Sequence, residues 1–437
     1  MLLTPCSISW RLFHRFLWSH RLTRTKVVLV VVLLLVAFVY TLKARQRALV
    51  LTHDLEISWA ETGKCPACFG DTCKLLHRGH FQNVHSDRPL KKGAVSIGTV
   101  DGKTVIAKTL CAEHQWQKFE RFICWVSSRR QVCNASSFIL ETMLVTDVVL
   151  KLPWLQEAWR ICHVEKSALS LCLPARFLQE VKQLYVDNES TEVDRIGRAF
   201  LATSLLLNVE SVLLRYFSTK STTPWPFPKF YGACGRVILV EHAGRTLDTF
   251  MDFPWGVRAD IAVQLLQLVD TLRGKDPDWV LFLTDVSFQN FAVDSRGRVR
   301  LIDLDDEMVI DRRISHEQTE MCNEQCYMDF QKKLFNDPYH CQDILRYTPM
   351  MYASICARIL SNHLKYPERR NWGETSEANE EQSTEDKVEE PLKGLLHDPP
   401  GEINGPLEDA LRQCVQETQP GGRLNAVLTL QQLLKKT

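Results

Sequence analysis

Fourteen of the fifteen cysteines in this 437-residue chain follow a single unbroken apolar run, and that arrangement narrows the fold more than any other feature. The run, Val27 to Tyr40, holds fourteen apolar residues; Leu42 extends it, and Arg11, Arg15, Arg21, Arg24 and Lys26 precede it. It is short for a bilayer span, so a signal-peptide core competes with it. Lys43, Arg45 and Arg47 follow in place of a small-residue cleavage site, and their long side chains suit a membrane flank. We therefore read 27–42 as an uncleaved signal anchor. Five basic residues before the run against three just after it put the 1–26 tail in the cytosol and the rest of the chain in the lumen.

The cysteines beyond the anchor are even in number: Cys65, Cys68, Cys73, Cys111, Cys124, Cys133, Cys162, Cys172, Cys234, Cys322, Cys326, Cys341, Cys356 and Cys414. In an oxidising lumen they can all pair. Asn134 and Asn188 open glycosylation sequons on the same side. Cys65-x-x-Cys68 with Cys73 would also suit zinc, but no second Cys or His pair at finger spacing follows. With 53 basic and 52 acidic residues, the formal charge of +1 gives no footprint for nucleic acid.

After the anchor, 43–90 reads as a stalk and a cysteine-tied segment. Gly93 to Leu110 alternates in strand fashion around Asp101-Gly102, a hairpin signal whose second strand carries Lys108. A cysteine-containing, mostly helical stretch occupies about 111–195. Ile196 to Phe217 then reads as one helix, with Leu206, Val209, Leu213 and Phe217 at three- and four-residue steps, ended by Pro224, Pro226 and Pro228. Arg236 to Glu241 is a short buried-strand pattern; Gly244 opens the way to a helix from about Arg258 to Leu272. Phe291–Asp294 and Arg298–Ile302 flank the turn Ser295-Arg296-Gly297, a second hairpin. The acidic stretch at about 374–391 has almost no large apolar side chains and reads as a solvated loop. Helical periodicity returns at Leu407–Val415 and Leu424–Leu434.

Transfer of a phosphoryl group from a nucleotide needs a cation on the phosphates, a carboxylate beside the acceptor hydroxyl, and oxygen ligands for metal ions. Asp285-Val-Ser-Phe-Gln-Asn290 has the D-x-x-x-x-N spacing of a kinase catalytic loop, and the second hairpin delivers Asp303 in Leu301-Ile302-Asp303-Leu304-Asp305. These residues resemble the protein-kinase-like fold. The chain as a whole resembles the divergent protein kinase domain 1 family of cysteine-rich type II endoplasmic-reticulum proteins.

The resemblance implies an α+β fold: a signal anchor, then a two-lobed kinase-like domain with the N-lobe at 91–245, carrying the cysteine-containing helical insertion, and the C-lobe at 246–437. It implies that Lys108, in Val105-Ile-Ala-Lys108, binds nucleotide phosphates and pairs with a helical glutamate, for which Glu210 fits better than Glu120 or Glu141. Asp285 would accept or orient the substrate hydroxyl, Asn290 and Asp303 would hold metal ions, and Glu241 would begin the hinge against the nucleotide. ATP with Mg or Mn is the implied cofactor set. The partners are the membrane, through one span, and a lumenal protein or glycan, either as substrate or as binding partner. Calcium is a minor expectation, because Asp187–Asp194 does not reproduce EF-hand spacing.

Departures bear on activity more than on fold. H-R-D reads Leu283-Thr284-Asp285, D-F-G reads Asp303-Leu304-Asp305, and Ser287 and Gln289 stand where kinases keep a catalytic-loop cation. Cys322 and Cys326 occupy the activation-segment region. A lumenal pseudokinase acting as a scaffold is therefore the first alternative. A type II glycosyltransferase using Asp303-Leu304-Asp305 as a D-x-D metal site is the second. The Golgi is the alternative to the endoplasmic reticulum.

Overall fold

The computed structural model describes residues 68, 72–77, 82–83, 95–111, 113–128, 138–139, 155, 158, 172–185, 192–220, 224–314, 325, 344–361 and 393–436. Residues 60–437 form one compact unit. The segments expected to form the tail and anchor (1–42), nearly all of the expected stalk, the acidic stretch at 374–391, both sequons and Cys65, Cys133, Cys162, Cys322, Cys326 and Cys341 lie outside the described residues. Among the described residues no helix is long and apolar enough to cross a membrane.

A five-stranded antiparallel sheet comes first, built from β1 (Gln82–Asn83), β2 (Val95–Val100), β3 (Lys103–Thr109), β4 (Phe230–Cys234) and β5 (Val237–Glu241) in the order β1-β2-β3-β5-β4. The β2–β3 turn forms because Asp101 and Gly102 both adopt positive φ, 49° and 72°, which matches the twist of a two-residue hairpin. Along β3 the period-2 alternation buries Val105, Ala107 and Thr109 and leaves Lys108 on the opposite face. Helix α1 (Thr72–His77) precedes the sheet, and between β3 and β4 the described residues form α2 (Glu113–Ser128), α3 (Ala175–Tyr185), α4 (Glu192–Leu207) and α5 (Glu210–Lys220).

The single helix expected over Ile196–Phe217 is in fact two, α4 and α5, interrupted at Asn208 and Val209. Asn208 accounts for the break. Its Oδ1 accepts the Glu210 N–H at 2.9 Å, satisfying one of the donors that a helix start leaves open, and its Nδ2 donates to the Leu110 carbonyl at 3.2 Å. Apolar spacing runs straight through the break, so periodicity alone could not show it.

The rest is helical around two small ladders: β6 (Arg245–Thr246) pairs with β8 (Phe291–Val293), which pairs with β9 (Val299–Leu301), and β7 (Trp279–Phe282) pairs with β10 (Met308–Asp311). At Gly244, φ is +110° and a Cβ would sit 1.9 Å from the Val293 carbonyl oxygen, so only glycine fits where the chain leaves the first sheet. Helix α6 (Trp255–Gly274) is the central support, packing on β7 and on the last helix; α7 (Met350–Ile355), α8 (Asn404–Val415) and α9 (Gly422–Lys435) complete this part. Burial of Ile261, Leu265, Leu268 and Leu272 on one side of α6 follows three- and four-residue spacing. Each such leucine or isoleucine contributes roughly 1.5–3 kcal/mol by leaving water.

Candidate functional site

The β3 alternation aims Lys108 across to the first residue of α5. Its Nζ lies 2.7 Å from Glu210 Oε2 and 2.6 Å from Asp303 Oδ1. Asn208 sets this geometry, because it ties the start of α5 to the end of β3 through Leu110. Glu210 has no exposed side-chain surface, Lys108 keeps 12% and Asp303 keeps 29%, so the triad opens to solvent on the Asp303 side. Of the two other glutamates considered, Glu120 sits on α2 and Glu141 lies outside the described residues.

Burial works against the charge on Lys108, but Glu210, Asp303 and Asp305 outweigh it and hold the ammonium well above the ordinary lysine range. For Glu210, burial pushes the carboxyl up to about 7, only partly offset by Lys108. Burial also pushes Asp303 up, yet the charge and hydrogen bond of Lys108 prevail and its pKa is lowered. Asp305, buried beside Asp303, is raised.

Asp285 and Asn290 stand on the loop after β7. Asn290 Nδ2 donates to the Asp285 carbonyl at 3.2 Å, and the Asn290 carbonyl accepts the Ile302 N–H at 2.9 Å, so this loop closes onto the segment leading to Asp303. Thr284 ties the same two segments: its Oγ1 donates to the Asp306 carbonyl at 2.5 Å, and its N–H donates to Glu307 Oε2 at 2.9 Å. Glu307 is 1% exposed, and burial raises its carboxyl well above the usual range. Sequence reasoning missed Asn208, Thr284 and Glu307. The only signal was compositional: an Asn between apolar helical turns, and a fourth acid in a run that a strand end does not need.

Glu241 ends β5 as expected, but its carboxylate is turned to other partners, accepting the Lys229 N–H at 3.2 Å and lying 4.0 Å from Arg300 Nη2. It lines a cleft of about 1040 Å³ with Gly244, Arg245 and the β8–β9 turn. Lys108, Asp285, Asn290 and Asp303 do not line that cleft.

Cys68, Cys73 and Cys234 bring their sulfurs within 4.8 Å of one another. Cys73 is bonded to Cys234, and Cys68 is also disulfide-bonded, so the thiolates zinc would need are consumed. A second disulfide, Cys356–Cys414, joins the end of α7 to α8. Cys124 and Cys172 are disulfide-bonded too. Cys111, one of the fourteen disulfide candidates, keeps its thiol instead, buried where β3 gives way to α2, with its carbonyl accepting Arg236 Nη1 at 3.1 Å.

Asp303, Asn290 and Asp305 offer only oxygen and amide donors, a hard set that suits Mg²⁺ or Mn²⁺ rather than a thiophilic ion. The carboxylates gathered around one ammonium leave a negative surplus that a divalent cation would offset. A strand lysine clasped by a helical glutamate, a D-x-x-x-x-N loop and an aspartate after the next hairpin together define a protein-kinase-like domain.

The family model for the protein-kinase domain of FAM69 matches residues 202–417, a span that holds Glu210, Asp285, Asn290 and Asp303 but stops short of Lys108. Divergent protein kinase domain 2A of Xenopus tropicalis is 28% identical over 409 residues, covering 85% of this chain and 86% of that protein. The Homo sapiens 2A protein is 27% identical over 413 residues, 86% of each, and the Homo sapiens 2B protein is 26% identical over 275 residues, 59% of this chain and 54% of its own length. The chain is thus similar both to the FAM69 kinase-domain model and to the divergent protein kinase domain proteins. The relatives are named 2A and 2B, so the domain 1 subgroup expected from the sequence does not emerge from them.

Proposed function

We propose that the chain is a kinase-like phosphotransferase of the secretory pathway, taking ATP with Mg²⁺ or Mn²⁺ and passing the γ-phosphoryl group to a hydroxyl of a lumenal protein or glycan. The observation that carries this reading is Lys108 held between Glu210 at 2.7 Å and Asp303 at 2.6 Å. That pairing costs the fold a fully buried carboxylate, which a merely structural strand end would not need.

In this reading Lys108 holds the phosphates, with Glu210 fixing its ammonium. Asp285 orients the acceptor hydroxyl and takes its proton as the hydroxyl oxygen bonds to the γ-phosphorus and the bridging P–O bond to ADP breaks. Asn290 and Asp303 hold the metal ions, which supply charge neutralisation on the phosphates. The domain lies on the lumenal side of an endoplasmic-reticulum membrane, anchored by 27–42, with the Golgi as the alternative. The disulfides Cys73–Cys234 and Cys356–Cys414 favour an oxidising compartment.

A second reading, a pseudokinase that binds without turnover, is favoured by Ser287 and Gln289, which leave transition-state charge without its usual loop cation. ADP formation by the full chain and by Asp285→Ala separates the two. Turnover in the parent that is lost in the variant, with nucleotide binding kept, supports transfer; binding with no turnover in either supports the binding module. The glycosyltransferase reading gains nothing from the Lys108–Glu210 pair.

A further inference from the structure

We infer that Thr284 and Glu307 are positioning residues, forming a side-chain stitch that holds the loop carrying Asp285 and the loop carrying Asp303 as one unit. The backbone ladder between β7 and β10 runs through four registered pairs, from Trp279↔Asp311 to Phe282↔Met308. Beyond the last pair the two strands part, and side chains take over. Thr284 Oγ1 donates to the Asp306 carbonyl at 2.5 Å, while Glu307 Oε2 accepts the Thr284 N–H at 2.9 Å. Each bond runs from a side chain on one loop to backbone on the other, and the two originate on opposite loops. The ladder is thereby prolonged where backbone pairing has ended.

The location of the stitch gives it a functional consequence. Thr284 immediately precedes Asp285, and Asp306 lies three residues after Asp303. Asn290 closes a third corner, its carbonyl accepting the Ile302 N–H at 2.9 Å just before Asp303. Movement of either acid relative to the other must therefore stretch one of these bonds. Packing alone would not select Glu307: a Leu or Met fills a buried strand end without the cost of desolvating a carboxyl group. Threonine at 284 is one of the departures from the H-R-D pattern, so the stitch stands where the kinase loop otherwise carries arginine. The effect on transfer rests on the phosphotransferase reading above; the mechanical coupling of the loops does not.

The test is hydrogen–deuterium exchange on the full oxidised chain for the parent, Thr284→Val, Thr284→Ser and Glu307→Gln, with ATP turnover measured beside it. Thr284→Val removes the hydroxyl at nearly constant shape, and Thr284→Ser restores it. The expected result is exchange about tenfold faster in Thr284→Val across both 283–290 and 302–307, with α6 and α9 unchanged and Thr284→Ser close to the parent. Faster exchange in one loop only, in neither, or equally throughout the chain would overturn the coupling. Where the parent turns over ATP, Thr284→Val should lower kcat at least about tenfold with KM for ATP nearly unchanged. An unchanged kcat alongside coupled exchange would overturn the positioning role. Absence of turnover in the parent would count against the phosphotransferase reading, and exchange would still decide the stitch.

Discussion

At the residue scale, the buried pair of Lys108 and Glu210 makes stability depend on pH. Replacing Lys108 by Met strands Glu210 without its cation, a change that costs about 3–5 kcal/mol for a buried pair when the remaining partner stays charged. Glu210 is already raised to about 7, so below that pH it can take up a proton and soften the loss. Denaturant unfolding of Lys108→Met should therefore show a larger deficit at pH 8 than at pH 6; equal deficits would argue that Glu210 is neutral in the parent. Glu307 offers a cleaner case. Its folded-state pKa is raised, so the native chain binds the extra proton above the unfolded carboxylate value of about 4.3, and stability falls as pH rises from there through the folded value. Glu307→Gln should flatten that decline, checked by thermal unfolding across pH 5 to 8.

These residues also divide what a sequence can show from what it cannot. Asp285, Asn290 and Asp303 are legible because a catalytic loop followed by a hairpin fixes their spacing within one stretch of chain. Lys108 is legible because period-2 alternation around a two-residue turn specifies which face it takes. Thr284 and Glu307 escape notice because their bonds span 22 and 23 residues, and Asn208 because its partner Leu110 is 98 residues away. Local periodicity carries no information on such distant pairs.

At the scale of elements, α3 straps α5 to the β7–β10 ladder. Arg176 on α3 donates to both oxygens of Asp311, at 2.8 Å from Nε and 2.5 Å from Nη2, and its guanidinium lies 3.9 Å above the Trp279 ring. From the same helix, Glu180 accepts Tyr216 Oη at 2.5 Å and Lys220 Nζ at 2.6 Å, both on α5. The helix that carries Glu210 is thus tied to the strands that carry the Asp285 loop, and the Lys108–Glu210 pair is held assembled by the fold. Burial raises the pKa of Asp311, but the hydrogen bond and charge of Arg176 prevail and hold it below the ordinary value. Its contribution is present at neutral pH and is lost as pH falls through that depressed value. Because Arg176 is partly exposed, Arg176→Ala should cost about 2–3 kcal/mol, below the full range for a buried pair. Denaturant unfolding at pH 7 and pH 3 checks both the size and the sign. The apolar face of α3 follows from Phe177, Leu178 and Val181, whereas nothing local to Arg176 points to a partner 135 residues away.

At the scale of the whole molecule, covalent closure complements the core. Cys73–Cys234 joins residues 161 apart and fixes the segment before the sheet to β4; Cys356–Cys414 joins residues 58 apart among the last helices. Long closed loops remove much unfolded-state entropy, typically about 2–5 kcal/mol for each native bridge. Unfolding with reductant should therefore occur at distinctly lower temperature than without it, and Cys73→Ser should reproduce part of that drop. The two bridges also set the conditions for any binding measurement, since Cys73–Cys234 ties down β4 of the sheet from which Lys108 projects.

The central claim is that Lys108, Glu210 and Asp303 form a metal-dependent nucleotide site. The most direct measurement is calorimetric titration of ATP into the full oxidised chain with Mn²⁺, with Mg²⁺ and with chelator, alongside Asp303→Ala. Saturable binding that requires the metal and disappears in the variant is the predicted result. Binding that is indifferent to metal and to Asp303, or no binding in a folded and oxidised sample, would contradict it.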